Sequence, residues 1–257
     1  MLFLKKIPIL VDNYVWLLVN NDGFCIIIDP GCSETVIKIM NKKKWYPIAI
    51  FLTHCHFDHV LGVKGIIQYY SYPITVFGPD ETKNYHVNKI LKEGDKIIVL
   101  NRTFSIFFTP GHTAGHITYY SDPYLFCGDT IFSGGCGSIY KNQYLEMYNS
   151  IQLLSSLPDF TIICCSHEYT LLNLQFTMFF LPNDIQIQLY FKKMQHQISI
   201  GKATLPSYLI FEKKINLFFR TDECFLKKTL GMNLFSTGLE VFTELRIKKD
   251  FFGAKRD

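Results

Sequence analysis

The segment THCHFDH at residues 53–59 directly follows the apolar run IAIFL and contains three histidines and an aspartate. Histidine side chains are polar, titrate near neutral pH and repel one another when they are protonated. Crowding them where a buried strand ends is therefore costly unless a cation offsets the repulsion. A metal ion does this, because a bound imidazole stays neutral and a carboxylate meets positive charge. The segment predicts a fold in which polar ligands project from the end of a covered strand.

Three further stretches share this character. TPGHTAGH, CGDT and CCSHEY each follow an apolar run and each contribute a histidine or an aspartate. In sheets covered by helices, ligands gather where strands end and loops begin, because side chains converge there. We therefore expect the candidate ligands to meet at one edge of a sheet. The candidates are His54, His56, Asp58, His59, His112, Asp129 and His167.

The spacing within THCHFDH suits two metal ions rather than one. His54 and His56 are two residues apart, so in an extended backbone they point the same way and can bind one ion. Asp58 and His59 begin the next predicted helix, whose first turn can direct them at a second ion. The candidates are too many for one tetrahedral ion, and the carboxylate of Asp129 is the sensible bridge between two. Imidazole and carboxylate ligands without cysteine favour zinc at an open site, with iron and manganese as alternatives.

The remaining histidines and the cysteines have other expected roles. His116 is expected to be an outer partner of the ligands, whereas His86 and His196 lack a preceding strand and are expected to be ordinary histidines. The eight cysteines include no C-x-x-C pair, and a chain of this size needs no disulfide framework. Reduced thiols in a cytoplasmic protein are therefore expected.

Composition and charge exclude several classes of function. A formal charge of +4 over 257 residues does not indicate the clustered basic face of a nucleic-acid-binding protein. No apolar run reaches the ~18 residues that a membrane span needs. The N-terminal stretch MLFLKKIPILV has too short an apolar run and no cleavage site for a signal peptide. A cytoplasmic protein without nucleic-acid or membrane partners is expected, with a monomer as the default.

Short apolar runs alternate with turn signals through the first two-thirds of the chain. A hairpin is predicted around NDG, a helix over SETVIKIMNKKK with Ser33 as its N-cap, and a helix that opens on Asp58. Continuously apolar strands predict a sheet covered on both faces by helices, and periodicity does not separate this from a helix–sheet–sheet–helix stack. After CCSHEY the spacing becomes helical. Two domains are predicted, residues 1–167 and residues 168–257.

THCHFDH, GHTAGH, CGDT and the later His167 together resemble the motif set of the metallo-β-lactamase superfamily. The resemblance implies an α/β fold, the four-layer αββα sandwich with metal ions at one edge of the paired sheets, and here a smaller, mainly α-helical C-terminal domain. CGDTIFSGGCGSIY, CCSHEYTLLNLQF and the ending ELRIKKDFF resemble the glyoxalase II (hydroxyacylglutathione hydrolase) family over essentially the whole chain. By this resemblance one ion is held by His54, His56 and His112, the other by Asp58, His59 and His167, and Asp129 bridges them.

The resemblance also implies an activity. Members of this family hydrolyse S-(2-hydroxyacyl)glutathione, typically S-D-lactoylglutathione, to glutathione and a 2-hydroxy acid, the second step of methylglyoxal detoxification. A metal-bridging hydroxide would attack the thioester carbonyl, because metal binding lowers the pKa of water to about 7. Asp58 and Asp129 would be the catalytic carboxylates, with Asp58 orienting the nucleophile. A glutathione thiolate leaves readily, so no dedicated general acid is expected.

Glutathione contacts are implied after the GGCG turn, after the last histidine of the motif set and near the C-terminus. The resemblance places them at Ser138, Tyr140, Tyr169, Arg246 and Lys249. Arg246 and Lys249 can pair with a carboxylate. Ser138 departs from the family pattern, because a basic residue is usual there, and this puts one contact to glutathione in question.

Alternative interpretations keep the metal-binding pattern. A glutathione persulfide dioxygenase would use one iron and dispense with part of the second site, whereas every candidate ligand is present here. A metal-dependent nuclease, as another hydrolase of the same fold, would need a basic groove that the sequence lacks. A zinc-stabilised interaction module, which is not an enzyme, would need a closed site. The Gly-rich stretch SGGCG beside the candidate ligands favours an accessible one.

Overall fold

A computed structural model describes residues 1–254, which fold into two compact units built from several chain segments. We call them the first unit and the second unit. The first unit comprises Met1–Thr109, Thr113–Gly128 and Cys164–His167. The second unit comprises Pro110–His112, Asp129–Ile163 and the described residues from Glu168 onward.

Strands and helices alternate through the first two-thirds of the chain, as the apolar runs predict. The strands are β1 (Leu2–Ile9), β2 (Asn13–Asn20), β3 (Phe24–Ile28), β4 (Tyr46–Phe51), β5 (Thr75–Gly78), β6 (Lys89–Ile90), β7 (Lys96–Val99), β8 (Arg102–Phe108), β9 (Ile117–Ser121), β10 (Tyr124–Gly128), β11 (Ile131–Phe132), β12 (Gly135–Cys136), β13 (Ile162–Cys165) and β14 (Ser207–Tyr208). The helices are α1 (Ser33–Lys43), α2 (Phe57–Val60), α3 (Gly62–Tyr69), α4 (Tyr144–Ser155), α5 (Thr170–Phe180), α6 (Ile185–Ser199), α7 (Leu209–Ile215), α8 (Cys224–Thr229) and α9 (Gly238–Ala254).

Two six-stranded sheets contain most of these strands. In the first sheet β1, β2 and β3 are antiparallel, and β3 to β6 follow one another in parallel. The second sheet has the order β14-β13-β10-β9-β8-β7, and β7 to β10 are antiparallel. The hairpin predicted around NDG joins β2 to β3, and Gly23 adopts a φ of 87° that favours glycine.

Both faces of the first sheet are covered within the first unit. On one face, strand residues such as Leu17 pack in an apolar cluster with α1 and α3, including Ile66. On the other face, the Phe51 ring stacks on Tyr119 with centroids 4.7 Å apart and meets Phe104 edge-on at 5.0 Å. A helix layer and the second sheet therefore cover the first sheet. Of the two arrangements that periodicity left open, this agrees with the helix–sheet–sheet–helix stack, and it explains why the strands of the first sheet are apolar throughout.

Two predicted helix starts differ from the structure. Helix α1 has Cys32 as its N-cap, and no side chain caps it. The predicted cap, Ser33, is the first helical residue, and a Cβ on Gly65 of α3 would lie 2.4 Å from its Oγ, so Ser33 packs against α3 instead. The helix predicted to open on Asp58 is two short helices, α2 and α3, and α2 already begins at Phe57.

The described chain after residue 167 is mainly helical, as predicted, and contains α5 to α9. One short strand interrupts it, because β14 pairs antiparallel with the start of β13. In the second unit, Tyr148 of α4 and Phe242 of α9 pack with ring centroids 5.7 Å apart. Within residues 1–254, no helix is both long enough and apolar enough to cross a membrane.

Candidate metal centre

Three predicted ligands of the first unit converge on one point. Oδ2 of Asp58 lies 3.4 Å from Nε2 of His59 and 3.4 Å from Nε2 of His167. Asp58 and His59 lie in α2, whereas His167 follows β13 and forms an isolated bridge with Asn13. The two histidines are buried and the aspartate is half-buried. The structure thus brings together three ligand atoms from distant parts of the sequence.

Carboxylates behind the rings orient both histidines. Nδ1 of His59 lies 3.1 Å from Oδ2 of Asp29, and Nδ1 of His167 lies 2.9 Å from Oδ1 of Asp12. Because a carboxylate only accepts, each Nδ1 carries the donated proton, and each neutral ring presents the lone pair of Nε2 toward Asp58. Two lone pairs and a carboxylate oxygen repel one another unless a cation lies among them. This donor set fits a divalent metal ion.

The surroundings of Asp58 keep its carboxyl group ionised. Burial raises its pKa, but the neighbouring His167 and His59 rings and the Asn13 amide lower it more. Nδ2 of Asn13 also donates to Oδ2 of Asp58 over 2.8 Å. The net result is a pKa well below the usual range of an aspartate. Asp58 is therefore a carboxylate at neutral pH, the form in which an aspartate can bind metal.

The two histidines of the HxH pair face each other, as the predicted extended backbone requires. Nε2 of His54 lies 3.0 Å from Nδ1 of His56. Oγ1 of Thr53 donates to Oδ2 of Asp29 over 2.7 Å, and it lies 2.9 Å from Nδ1 of His54. Since the Thr53 hydroxyl hydrogen is directed at Asp29, Thr53 accepts the Nδ1 proton of His54. The lone pair on Nε2 of His54 therefore points at His56, where a shared cation fits.

Asp29 connects these two histidine groups and was absent from the predicted site. Its Oδ1 accepts from the backbone N–H of Thr53 over 2.8 Å, and its Oδ2 accepts from Oγ1 of Thr53 and from His59. Asp29, His54 and His59 are close enough to hold an ion themselves. The atoms through which these three side chains approach one another already form hydrogen bonds with each other or with Thr53. We therefore interpret Asp29 as a residue that orients the His54 and His59 rings. A sequence signal existed, since Asp29 directly follows β3 as Asp129 follows β10.

The predicted outer histidine, His116, is buried in the first unit. Its Nδ1 lies 3.0 Å from Oγ1 of Thr109, and its ring stacks on that of His54 with centroids 4.9 Å apart. A Cβ on Gly128 would lie 2.7 Å from Nε2 of His116, so only glycine leaves room for this ring. The position agrees with the outer role expected of His116.

In the second unit, two further predicted ligands face each other. Nε2 of His112 lies 3.4 Å from Oδ2 of Asp129, and both side chains are buried. Nδ1 of His112 donates to the backbone carbonyl of Ser138 over 2.9 Å, which places the Nε2 lone pair on the Asp129 side. A Cβ on Gly137 would lie 2.0 Å from the backbone oxygen of Asp129, so this close approach requires glycine.

Residues 132–137, FSGGCG, form a turn that we call the glycine turn. Side chains from the helical part of the second unit hold its backbone. Nδ2 of Asn216 donates to the first and fourth carbonyls of the turn over 3.2 and 2.9 Å. Nη1 of Arg246 donates to the last two carbonyls over 3.0 and 3.3 Å. Nδ2 of Asn173 donates to the second carbonyl over 3.0 Å. The turn leads into Ser138, whose carbonyl orients His112.

Glu212 is a fully buried carboxylate within this arrangement. Its oxygens accept from the hydroxyl of Ser133 and the backbone N–H of Gly134, each over 2.7 Å, and from the hydroxyl of Ser207. Burial raises the pKa of Glu212 above its usual range, although these donors and Asn216 oppose the rise. The sequence analysis did not single out Glu212, because its helix carries it as one polar residue among many.

Similar known proteins identify the family of this chain. A family model described as the metallo-beta-lactamase superfamily matches residues 10–167, and one described as the hydroxyacylglutathione hydrolase C-terminus matches residues 168–252. A hydroxyacylglutathione hydrolase of Buchnera aphidicola subsp. Acyrthosiphon pisum (strain APS) is 58% identical over 98% of this chain and 100% of its own length. Another, from Citrobacter koseri, is 46% identical over 97% of this chain and 99% of its own. This chain belongs to the hydroxyacylglutathione hydrolase family.

A solved structure supports the fold of this hydroxyacylglutathione hydrolase family member. A metallo-beta-lactamase from Staphylococcus aureus subsp. aureus COL matches with a TM-score of 0.64 and 20% identity, over 96% of this chain and 72% of its own. The α/β metallo-β-lactamase fold with a helical C-terminal region, predicted from the motifs, is thereby confirmed. The His/Asp groups described above could hold metal ions.

The predicted glutathione contacts of this hydroxyacylglutathione hydrolase family member all lie in the second unit. Ser138 and Tyr140 follow the glycine turn and are exposed, and Nζ of Lys141 lies 4.9 Å from the Tyr140 ring. Tyr169 precedes α5, and its ring packs edge-on against Phe132 at 5.2 Å. Tyrosines in these settings can offer both ring and hydroxyl to a substrate.

Arg246 and Lys249 are buried rather than part of a solvated tail. They are 5% and 9% exposed. Besides the glycine turn, Arg246 binds Oδ1 of Asp250 through Nη2 at 2.7 Å, and its buried Nε has no acceptor within residues 1–254. Nζ of Lys249 lies 4.9 Å from the Phe176 ring. Arg246 therefore has a structural contact that the sequence did not predict.

Proposed function

We propose that this chain hydrolyses the thioester of S-(2-hydroxyacyl)glutathione, typically S-D-lactoylglutathione, to glutathione and a 2-hydroxy acid. Its relatives named hydroxyacylglutathione hydrolase support the substrate class. The observation that carries the reaction type is the convergence of Oδ2 of Asp58 with Nε2 of His59 and Nε2 of His167. Histidine and carboxylate ligands are typical of catalytic sites, whereas cysteine-rich sets are typical of closed structural zinc sites.

The proposal includes two divalent metal ions per chain. Zinc is the expected ion, with iron and manganese as alternatives. The family resemblance assigns His54, His56 and His112 to one ion, Asp58, His59 and His167 to the other, and Asp129 to both. Ions held by these residues would lower the pKa of a bound water and polarise the thioester carbonyl. The oriented rings support this assignment, because hydrogen bonds on the outer nitrogens direct the lone pairs of His54, His59, His112 and His167 toward other ligands.

Asp58 has a further proposed role in the reaction. Its ionised carboxylate accepts a hydrogen bond from the attacking water and orients it toward the thioester carbon. Asn13 supports this by fixing Oδ2 of Asp58 with a hydrogen bond of 2.8 Å. The leaving glutathione is a thiolate with an ordinary thiol pKa near 8.5. It departs without protonation, so no other side chain of the chain needs to act as an acid.

The glutathione part of the substrate is proposed to bind in the second unit. Its contacts are Ser138, Tyr140, Tyr169, Arg246 and Lys249. The buried Nε of Arg246 supports this, because it has no protein acceptor within residues 1–254 and a carboxylate is the acceptor that a guanidinium favours. Ser138 carries no charge, so we expect a higher KM for glutathione thioesters than a basic residue at this position would produce.

We also propose the chain's organisation and setting. Residues 1–167 form the catalytic domain and residues 168–257 the glutathione-binding domain, which the separate ranges of the two family models support. The last three residues lie outside the described part of the chain. We propose a cytoplasmic monomer without nucleic-acid or membrane partners, in keeping with a formal charge of only +4. Size-exclusion chromatography with light scattering tests the monomer directly.

The deciding experiment measures S-D-lactoylglutathione hydrolysis by the purified protein, together with its metal content. We expect turnover that a chelator abolishes and that added zinc restores, with two metal ions per chain. One iron per chain and oxygen consumption on glutathione persulfide would instead identify a persulfide dioxygenase. A metal-loaded protein that turns over neither substrate would contradict the hydrolase and favour an interaction module.

A further inference from the structure

Glu81 lies outside the predicted site yet contacts two segments of the first unit, the HxH pair and the stretch that directly follows His112 in the chain. It belongs to a single 3-10 turn, Asp80–Thr82, that follows β5. Its Oε1 accepts from the backbone N–H of Cys55 over 3.2 Å and from Oγ1 of Thr113 over 2.7 Å. Its Oε2 accepts from the backbone N–H of Gly115 over 2.7 Å. One side chain therefore joins three points of the chain.

The three residues that Glu81 contacts are each next to a histidine in the sequence. Cys55 is the middle residue of the HxH pair, so its N–H lies between the two histidines whose ring nitrogens face each other. Thr113 directly follows His112, and Gly115 directly precedes His116. Glu81 thus contacts THCHFDH and GHTAGH at positions next to candidate ligands. It contacts none of the candidate ligand side chains.

Local packing is shaped for this contact. A Cβ added to Gly115 would lie 2.6 Å from Oε2 of Glu81 and 2.9 Å from its carboxyl carbon. Any side chain at that position would therefore displace the carboxylate. The turn beneath is itself anchored, because Oγ1 of Thr82 donates to the carbonyl of Pro79 over 2.7 Å. Thr82 is fully buried, so the backbone that carries Glu81 is held in place.

The neighbouring acidic residue provides a contrast. Asp80 is 75% exposed, and its recorded ion pair is with Lys83, three residues later, at 3.3 Å. Asp80 and Glu81 therefore have similar charge and the same local backbone but different surroundings. Only Glu81 is engaged with the ligand-bearing segments.

We propose that Glu81 is a positioning residue for the metal centre: it holds the HxH backbone and residues 113–115 in place so that His54 and His56 keep their ligand geometry. This inference rests on the proposed metal-dependent function. Glu81 takes no part in bond making, because it acts through backbone groups and one hydroxyl. A carboxylate suits the role, since it accepts from several donors at once and needs no donor of its own.

The test compares Glu81→Ala with Asp80→Ala, the matched control, in the full-length metal-loaded protein. The primary measurement is the rate of metal loss during dialysis against a chelator. Circular dichroism and melting of the metal-free forms are measured beside it. Outer partners of metal sites typically contribute 10–100-fold in metal affinity or activity. We expect metal loss about tenfold faster in Glu81→Ala and unchanged in Asp80→Ala, with the metal-free fold intact.

Two milder variants keep the test decisive if Glu81→Ala folds poorly. Thr113→Val removes one hydrogen bond at nearly constant volume and should accelerate metal loss about two- to threefold, in line with one hydrogen bond of ordinary strength. Gly115→Ala should displace the Glu81 carboxylate and accelerate metal loss while residue 81 remains a glutamate. In the double variant Glu81→Ala/Gly115→Ala, the two effects should fall short of multiplying, because both disrupt the same contact.

Rescue distinguishes positioning from a general loss of stability. Glu81→Gln keeps one acceptor oxygen and should restore part of the metal retention that Glu81→Ala loses. Variants that melt earlier when metal-free but lose metal at the wild-type rate would overturn the proposal, as would equal metal loss in Glu81→Ala and Asp80→Ala. A wild-type protein that retains metal without hydrolysing the thioester would refute the proposed function alone. The role of Glu81 is judged by the ratio of metal-loss rates.

Discussion

Asp58, His59 and His167 of the first unit, which we call the Asp58 group, are arranged differently from the glycine turn of the second unit. In the Asp58 group, outer hydrogen bonds direct two Nε2 lone pairs toward a carboxylate oxygen. In the glycine turn, the N–H groups of Asn216 and Arg246 meet backbone carbonyls, and the Glu212 carboxylate meets hydroxyl and N–H donors. In the first arrangement acceptors face acceptors, whereas in the second the backbone carbonyls and N–H group of the turn meet complementary side-chain groups.

The two regions therefore depend on different sources of stability. A cluster of converging acceptors needs a cation from outside the chain, so its order depends on metal and on the residues that aim the rings. A turn whose carbonyls and N–H groups find side-chain partners is complete without any ligand. We therefore expect mutations in the Asp58 group to affect metal binding and turnover first. Mutations around the glycine turn should affect the free energy of unfolding first.

The largest effect is expected from Asp58→Ala. This change removes a proposed ligand and the group that orients the attacking water, so kcat should fall by more than about 100-fold, beyond the 10–100-fold typical of outer partners. Metal analysis and steady-state kinetics on S-D-lactoylglutathione measure it, with Asp80→Ala as the exposed control. Normal metal content and near-normal kcat in Asp58→Ala would contradict the proposed role of the Asp58 group in metal binding and turnover.

Glu212→Ala should produce the largest loss of stability. It leaves the Ser133 hydroxyl, the Gly134 N–H and the Ser207 hydroxyl without their buried acceptor, at about 1–3 kcal/mol for each unsatisfied group. Partial relaxation makes about 3 kcal/mol a reasonable total, and Tm should fall by several degrees. Glu244→Ala is the control, since Glu244 forms a helix-surface pair with Lys248 at 2.8 Å. Equal unfolding midpoints for the two variants would contradict the structural role of Glu212.

Asp29→Asn should weaken metal binding without removing any proposed ligand. Asparagine keeps the shape of Asp29 but cannot accept through both oxygens, so either Thr53 or His59 loses a partner. We expect a roughly tenfold loss in metal affinity, at the low end for outer partners. Competition with a chelating dye measures it. A change in melting temperature of the metal-free protein with unaltered metal affinity would show that Asp29 serves packing only.

The smallest effect concerns the pH dependence of Glu212. Burial raises the pKa of Glu212 above its ordinary value of 4.5. The folded protein therefore binds this proton more tightly than the unfolded chain, and the resulting stabilisation is complete below pH 4.5 and is lost as the pH rises through the raised pKa. Glu212→Gln does not titrate, so its Tm relative to wild type should increase over that window. Melting both proteins from pH 4.5 to about 7.5 tests the sign, and a constant or falling difference would contradict it.

Much of the fold and of the ligand set could be predicted because local sequence carried it. Apolar runs that end in histidine or aspartate indicated the candidate ligands, and the alternation of strands and helices followed from periodicity. Strand β1 was missed, because two adjacent lysines interrupt its apolar pattern. Asp12 was missed for another reason. It lies in the turn between β1 and β2, where an aspartate is ordinary, and only the approach of His167 gives it a role.

The motifs alone were enough to indicate the family and the residue types of the candidate ligands. Closely spaced histidines and aspartates can be recognised without coordinates because their chemistry depends on residue type and short-range spacing. The nitrogen by which each ring faces a candidate ligand could be seen only in the folded structure. The orientation of a ring depends on partners far away in the chain, such as Asp29 for His59. The tertiary structure also decided that Arg246 holds the glycine turn. Hydrogen bonds between distant segments leave no periodic trace in a sequence, and they decide how a set of ligands becomes a site.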